Sequence, residues 1–175
     1  MSADRLLKLE ALSQTAFAPY GWFLGKPYPT AADAVAFSNV ATDFWQEHIF
    51  EPGSAGGVEV LWVNYRNNDR TIGTLERHLL TDQAVVPLVG AITQIVALPA
   101  PDGSPDLDSL RAFRVEPGSG VCMRANVWHA TRSEASTCLM LTRRSTTADL
   151  IAGLNGTHAL MESALHSVTG VKLFG

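Results

Sequence analysis

Glu76-Arg77-His78 opens the most informative stretch of this sequence, which continues through Gln83 and Gly90 and is followed later by Asn126-Val127-Trp128-His129. Side chains alternate between the two faces of a β-strand. Glu76 and His78 therefore point to the same side if this segment is a strand, while Arg77 points to the other. The pattern predicts that ligand-type side chains from short extended segments share one face.

The spacing of these residues resembles the two-part signature of the cupin superfamily, His-x-His-x(3,4)-Glu-x6-Gly followed by Gly-x5-Pro-x-Gly-x2-His. In this chain the two parts read Glu76-x-His78-x4-Gln83-x6-Gly90 and Gly118-x5-Arg124-x-Asn126-x2-His129. Every interval fits, but Glu76, Gln83, Arg124 and Asn126 replace the residues usual in cupins. The resemblance implies an all-β fold, namely a cupin-like double-stranded β-helix (jelly-roll barrel) with short N-terminal and C-terminal helices.

A longer set of segments is similar to the ureidoglycolate lyases, which are cupin-fold enzymes of allantoin breakdown. In chain order these segments are Leu12-Ser13-Gln14-Thr15-Ala16-Phe17-Ala18-Pro19-Tyr20-Gly21, Leu75-Glu76-Arg77-His78, Gln83-Ala84-Val85-Val86-Pro87-Leu88, Pro105-Asp106-Leu107-Asp108-Ser109-Leu110-Arg111-Ala112-Phe113, Gly120-Val121 and Val127-Trp128-His129. The resemblance implies a carbon–nitrogen lyase that cleaves (S)-ureidoglycolate to glyoxylate and urea, and it implies a homodimer.

The chain departs from this family around the second histidine. Family members commonly read Asn-Tyr-His-Arg before Val-Trp-His and His-Pro after it, whereas this chain has Cys122-Met123-Arg124-Ala125 and Ala130-Thr131. Its last core strand ends in Thr142-Arg143, where Asp-Arg is usual. Two alternatives to the lyase therefore stay open: a metal-dependent cupin enzyme acting on another small 2-hydroxy or keto acid, and a non-catalytic cupin that binds small acids.

Length and composition predict a single domain over residues 1–175, with a barrel core over about 36–145 and a helical tail over about 146–168. The chain has 175 residues, of which 46% are hydrophobic, enough for one substantial core. Charged residues make up 17% and the net charge is −4, spread along the chain. This balance disfavours nucleic-acid binding, because no basic stripe is present to neutralise phosphates.

The sequence also predicts a cytoplasmic protein without membrane contact. Residues 1–10 mix charges with leucines and do not resemble a signal peptide. No apolar run approaches the roughly 20 residues that span a bilayer. Cys122 and Cys138 are expected to be ordinary buried thiols, as in a reducing compartment.

Several segments are typical of a β protein. Strands are predicted at Val58–Tyr65, Ala91–Leu98 and Thr137–Thr142, because these runs are rich in β-branched or aromatic residues and lie between turn-forming residues. The proline-rich run 99–105 is predicted to be a surface loop. Ser13 is predicted to cap a short N-terminal helical turn.

The candidate site consists of Glu76, His78 and His129. Two imidazoles and a carboxylate form a facial ligand set for a divalent transition metal such as Ni, Mn or Zn, and they leave positions open for a chelating substrate. Gln83 is a weaker fourth donor. The alternatives are hydrogen-bonded core histidines, or a metal-free cavity that binds substrate with histidines and arginines alone. Glu76 is expected to act as a metal ligand or as the catalytic base.

The substrate carboxylate requires a cationic partner, for which a guanidinium fork is well suited. The candidates are Arg124, Arg77 and Arg132. Arg124 is preferred because it lies just before His129, whereas alternation places Arg77 on the opposite face from Glu76. Asn39 is a further candidate, because the resemblance implies that its segment approaches the pocket.

Overall fold

Within residues 5–175, which the computed structural model describes, the chain forms fourteen strands, two helices and one 3-10 turn. The strands are β1 (Arg5–Ala11), β2 (Gly21–Leu24), β3 (Ala36–Ser38), β4 (Asp43–Trp45), β5 (Val58–Tyr65), β6 (Thr74–His78), β7 (Gln83–Val89), β8 (Ile92–Ala97), β9 (Arg111–Val115), β10 (Gly120–Met123), β11 (Trp128–Arg132), β12 (Ser136–Arg143), β13 (Ser163–Ser167) and β14 (Val171–Phe174). The helices are α1 (Gln14–Phe17) and α2 (Arg144–Leu154), and the 3-10 turn is Leu107–Ser109.

Two sheets contain twelve of these strands. One sheet has the order β2-β10-β7-β12-β5 and the other the order β13-β6-β11-β8-β9-β1-β14, while β3 and β4 form a separate hairpin. Apolar side chains of both sheets meet in a main core; the five-stranded sheet contributes Val85 and Val121, and the seven-stranded sheet contributes Val96 and Phe113. The predicted all-β, cupin-like fold is confirmed.

The seven-stranded sheet also encloses a second core on its opposite face. Leu75, Ile95 and Trp128 are buried in this core. Its two edge strands, β13 and β14, are separated in sequence only by the residues 168–170, so the sheet must curl until its edges meet. The amide of Ile72, just before β6, donates to the carbonyl of Val171 on β14 at 3.1 Å, which joins β14 to the other end of the sheet.

The local predictions agree with the strands in the middle of the chain. β5 has the predicted bounds, and β8 and β12 differ from the predicted segments by one residue at each end. At the N-terminal helix, the Ser13 side chain accepts a hydrogen bond from the amide of Ala16 at 3.2 Å, as expected for a cap. Neither helix in residues 5–175 is long and apolar enough to cross a membrane.

The predicted tail and barrel limits are partly wrong. A helix begins where it was expected, but it ends at Leu154, and Ser163–Ser167 form a strand instead of helix. The barrel also extends beyond 36–145, because β1, β2, β13 and β14 all join the two sheets. The physical reason is a tertiary contact. Residues 163–167 form a strand because they pair with β6, with Ser163 opposite His78. The sequence of the tail alone does not reveal this pairing.

Candidate metal centre

Glu76, His78 and His129 meet in the interior of the main barrel. Each offers one ligand atom, and these atoms all lie within 4.8 Å of one another. His129 on β11 lies directly opposite Glu76 on β6. Both point away from the second core, because their neighbours Leu75 and Trp128 are buried there. The predicted face-sharing of Glu76 and His78 therefore agrees with the structure.

His129 is oriented as a potential metal ligand. Its Nδ1 lies 3.0 Å from the carbonyl oxygen of Val127 and donates to it. That hydrogen bond leaves Nε2 with a free lone pair. Nε2 is buried and has no hydrogen-bond partner in the described chain; it faces Oε1 of Glu76 at 3.4 Å. An orphaned imidazole nitrogen beside a carboxylate fits a divalent cation.

His78 is oriented by a residue from the far end of the chain. Its Nδ1 lies 3.0 Å from Oγ of Ser163 on β13, and its Nε2 lies 3.0 Å from the side-chain amide of Gln83. Burial, aided by the neighbouring His129, lowers the pKa of His78 to about 4. The ring is therefore neutral near pH 7, which is the form that binds metals.

Glu76 is kept ionised by the two histidines. Burial on its own would raise the pKa of Glu76, but the electrostatic interaction with the imidazole of His129, and a smaller one with that of His78, outweigh burial and lower it. Its side chain is also more accessible than that of His129, at 34% against 4%. Glu76 thus presents a charged, reachable oxygen to anything bound in the interior.

Gln83 completes the cluster at the start of β7. Besides contacting His78, its amide nitrogen lies 3.5 Å from Sδ of Met140. A rotation of the side-chain amide by about 180° would exchange its oxygen and nitrogen, and would turn the oxygen toward His78. The structure therefore places Gln83 beside the other three ligand candidates.

The turn before His129 explains one departure from the cupin signature. Asn126 has φ of 70°, in the left-handed region that the signature's glycine would occupy. Asparagine tolerates this region better than other non-glycine residues. The amide of Asn126 donates to the carbonyl of His78 at 2.7 Å, so the turn fastens the two histidine segments together.

The structure places Arg124, the preferred candidate for the substrate carboxylate, away from this cluster. Its neighbour Met123 points into the main core, so the Arg124 side chain begins on the outer face of the sheet. There its guanidinium donates to the carbonyls of Ala18 and Pro19 and lies 4.4 Å from the centre of the Trp22 ring. The physical reason is strand parity, which the sequence did not reveal.

The other three predicted substrate-binding residues also lie elsewhere. Arg77 packs over the ring of Trp128 at 4.6 Å, on the opposite face from Glu76, as alternation required. Arg132 donates to the backbone of Asp69 and lines a surface cavity of ≈ 410 Å³. Asn39 is exposed in the β3–β4 turn, where its side chain accepts from two backbone amides.

Two further residues face the same interior: Glu59, which sequence reasoning missed, and Thr142, which it noted only as a departure from the family. Glu59 on β5 pairs with Thr142 on β12. Thr142 alternates with the core residues Cys138 and Met140, and Glu59 alternates with Leu61, which packs on that core. Oε1 of Glu59 and Oγ1 of Thr142 are buried without a hydrogen-bond partner in the described chain. The strict alternation along Val58–Tyr65 was the available signal, because it puts Glu59 on the face of Leu61.

The interior is rich in negative charge. Glu76 and Glu59 both face it, and His78, whose pKa is lowered to about 4, adds no positive charge near pH 7. Arg111 on β9 lies in the same row of the sheet, with Val96 between it and His129. Its guanidinium is already bound to both carboxylate oxygens of Glu10. An anionic ligand therefore needs a further cation in this interior, and the imidazole and carboxylate donors fit a divalent transition metal.

Fold and site together define a β protein of two packed sheets with a cluster of potential metal ligands in its interior. The chain belongs to the ureidoglycolate lyase family, whose model matches residues 4–143. It is 30% identical over 129 residues to a ureidoglycolate lyase of Pseudomonas putida (strain W619), which covers 71% of this chain and 75% of that protein. A ureidoglycolate lyase of Escherichia coli (strain K12 / DH10B) is 44% identical over 59 residues, or 34% of this chain and 36% of that protein.

Solved structures include a more distant likeness. A dTDP sugar isomerase from Desulfovibrio desulfuricans G20 aligns with a TM-score of 0.42 and 12% sequence identity, over 79% of this chain and 82% of that chain.

Proposed function

We propose that this protein is a metal-dependent ureidoglycolate lyase that cleaves (S)-ureidoglycolate to glyoxylate and urea in allantoin degradation. The observation that carries the proposal is the convergence of Glu76, His78 and His129 inside the barrel of a chain that belongs to this family. The buried free thiols of Cys122 and Cys138 suit a reducing cytoplasm, which we propose as its location.

The reaction sets clear chemical demands. Ureidoglycolate carries a hydroxyl, a carboxylate and a ureido nitrogen on one carbon. Cleavage removes the hydroxyl proton, converts the C–O bond into the carbonyl of glyoxylate, and breaks the C–N bond, whose electron pair and a proton go to the nitrogen of urea. The site must therefore supply a proton acceptor, a proton donor and a partner for the carboxylate.

Glu76 is suited to carry that proton. Its carboxylate is ionised and accessible, so it accepts the hydroxyl proton and, once protonated, returns it to the departing nitrogen on the same carbon. A divalent ion held by His78, His129 and Glu76, with Gln83 as a weaker donor, would supply the positive charge that binds the substrate carboxylate and hydroxyl and makes the hydroxyl more acidic. The carboxylate of Glu76 has two oxygens, so ligation and proton transfer are compatible.

Glu59 and Thr142 are suited to hold the ureido group. This group has several N–H donors and one carbonyl acceptor. The carboxylate of Glu59 accepts from N–H groups, and the Thr142 hydroxyl donates to a carbonyl. Oε1 of Glu59 and Oγ1 of Thr142 are buried and have no hydrogen-bond partner within residues 5–175. A ligand that forms hydrogen bonds with them therefore removes the free-energy cost of burying unpaired polar atoms.

We also propose that the protein is a homodimer formed through β5. This strand is the edge of the five-stranded sheet. Its outward side chains Val60 and Trp62 are 61% and 67% exposed. Exposed apolar side chains on an edge strand favour pairing with a second copy.

The test is release of glyoxylate and urea from racemic ureidoglycolate by the purified protein, with Ni²⁺ or Mn²⁺ and after chelation. We expect equal amounts of both products, activity that chelation abolishes, and loss of turnover in His78→Ala. His166→Ala is the matched control, because His166 lies outside the cluster and contacts Trp128. Folded, metal-loaded protein that releases neither product would refute the lyase proposal in favour of another small acid or of binding alone.

Glu76→Gln tests the proton carrier. The amide keeps the shape of the side chain but does not accept the proton, so we expect kcat to fall by roughly 10²–10⁴-fold with the fold retained. Steady-state kinetics alongside circular dichroism measure this. Wild-type turnover in the variant would remove Glu76 from the mechanism.

A further inference from the structure

A second group of metal-ligating side chains lies on the outer face of the five-stranded sheet. His48, Asp82 and Cys122 each offer one ligand atom, and these atoms all lie within 4.8 Å of one another. The neighbours of Cys122 on β10, Val121 and Met123, point into the main core. Cys122 therefore points outward, and this outer cluster is separated from the Glu76, His78 and His129 group by the sheet itself.

The outer cluster is enclosed and partly oriented in advance. Cys122 and Asp82 are only 1% and 5% exposed. His48 comes from the irregular segment 46–52, the first part of the connection from β4 to β5 (residues 46–57), and this segment lies over this face. The ring of His48 stacks on Trp22 with 3.8 Å between ring centres, which holds the imidazole plane in place.

Another histidine–aspartate pair in the molecule shows what a satisfied pair looks like. His158 lies 2.9 Å from Asp149, and the Asp149 carboxylate also accepts from the amides of Met161 and Glu162 at 2.9–3.1 Å. Around Asp82 the corresponding distances are longer: 3.4 Å to Nε2 of His48, 3.4 Å to the amide of Glu51 and 3.3 Å to the amide of Ala125.

The Asp82 carboxylate thus has three polar neighbours but no short hydrogen bond to any of them. Charge-assisted hydrogen bonds are normally about 2.7–2.9 Å long. In the described chain, moreover, Sγ of Cys122 has no hydrogen-bond partner to compete for it. The three ligand atoms thus lie within 4.8 Å of one another, and the contact between His48 and Asp82, at 3.4 Å, is longer than a normal charge-assisted hydrogen bond.

The donor set selects the kind of ion. A thiolate, an imidazole and a carboxylate suit zinc and similar borderline-soft cations, whereas magnesium, calcium and manganese prefer oxygen donors. Asp82 and a deprotonated Cys122 carry two negative charges, so a divalent ion makes the buried group neutral. Burial, together with the charge of Asp82, raises the pKa of the Cys122 thiol to about 12, so the metal must displace the thiol proton when it binds.

We propose that His48, Asp82 and Cys122 bind a zinc-type divalent cation that fastens the segment 46–52 to the outer face of the sheet. Cys122 on β10 and Asp82, immediately before β7, are the fixed ligands, and His48 closes the site from the covering segment. One coordination position remains for water. This site is distinct from the proposed catalytic centre and does not depend on the lyase activity.

Cobalt provides a test specific to this cluster. The full-length protein is stripped with chelator and titrated with Co²⁺, and the near-ultraviolet thiolate-to-cobalt charge-transfer band is recorded. The Glu76, His78 and His129 group contains no sulfur, so this band reports the outer cluster alone. We expect the band in the wild type, its disappearance when Zn²⁺ is added, and a higher melting temperature with Zn²⁺.

Matched variants make the test decisive. Cys138→Ser should keep the band, because Cys138 is equally buried but belongs to the main core. Cys122→Ser should lose it, and Asp82→Asn should weaken Co²⁺ binding by about 10-fold or more. Should Cys122→Ser fail to fold, His48→Ala, which changes an irregular segment, replaces it and should also weaken Co²⁺ binding. No band in the wild type, or a band that survives in Cys122→Ser, would overturn the proposal.

Discussion

At the scale of single residues, the buried hydroxyl of Thr142 is expected to destabilise the fold and to bind substrate. Its buried hydroxyl has no partner in the described chain, and Thr142→Val removes it with little change in shape. We expect unfolding to require about 1 kcal/mol more free energy, because a buried unsatisfied polar group is lost, while kcat/KM for ureidoglycolate falls by about 10-fold. Urea denaturation and steady-state kinetics on the same preparation measure both effects.

Thr137→Val is the control for this prediction. Thr137 lies on the same strand, but its hydroxyl donates to the side chain of Asn64 at 2.8 Å and is exposed. This change should leave activity intact and should not stabilise the fold. If Thr142→Val instead destabilises the protein and leaves kinetics unchanged, Thr142 does not bind substrate.

His78 makes folding stability depend on pH in the metal-free protein. Its pKa is about 4 when folded and about 6.5 when unfolded, so the unfolded chain binds more protons between these values. Stability therefore rises as pH increases from about 4 to 6.5 and is lost as pH falls through that window, by up to about 3 kcal/mol. Urea denaturation in chelator at several pH values should show this slope. The dependence of the free energy of unfolding on pH should become weaker in His78→Gln and should remain unchanged in His166→Ala.

At the scale of the element, β13 controls the orientation of His78. Ser163 lies opposite His78 in the sheet and contacts its Nδ1. Ser163→Ala should therefore lower metal affinity by about 10-fold or more, because outer contacts orient the ligands. Titration calorimetry with Ni²⁺ measures this. Ser167→Ala, at the exposed end of the same strand, should bind metal like the wild type.

The same strand shows where sequence reasoning succeeds and where it does not. The shared face of Glu76 and His78 follows from the two-residue period of a strand, a local property. The role of Ser163 depends on β13 pairing with a strand far away in sequence, and its own letters are more helix-like than strand-like. Arg124, which follows β10, was misplaced for a related reason: which face of β10 turns inward depends on how its sheet packs against the seven-stranded sheet.

At the scale of the whole molecule, the exposed side of β5 carries the dimer proposal. Trp62→Arg places a charge in the expected interface without touching the core, so we expect the dimer dissociation constant to rise by about 100-fold or more. Sedimentation velocity over a concentration series measures it. Leu6→Arg, which changes another exposed apolar residue on β1, is the control. A wild-type protein that is monomeric at high concentration would refute the dimer.

The closure of the seven-stranded sheet has a consequence for how the chain is made. β1 is synthesised early, yet its parallel partners are β9 and β14, with Arg5 beside Val171. Contacts between such distant residues slow folding, because a long loop must close before they form. While the ribosome is still translating the middle of the chain, β1 has no partner, and the strand that orients His78 does not yet exist. We therefore expect the Glu76, His78 and His129 cluster to assemble only after β13 and β14 have been translated.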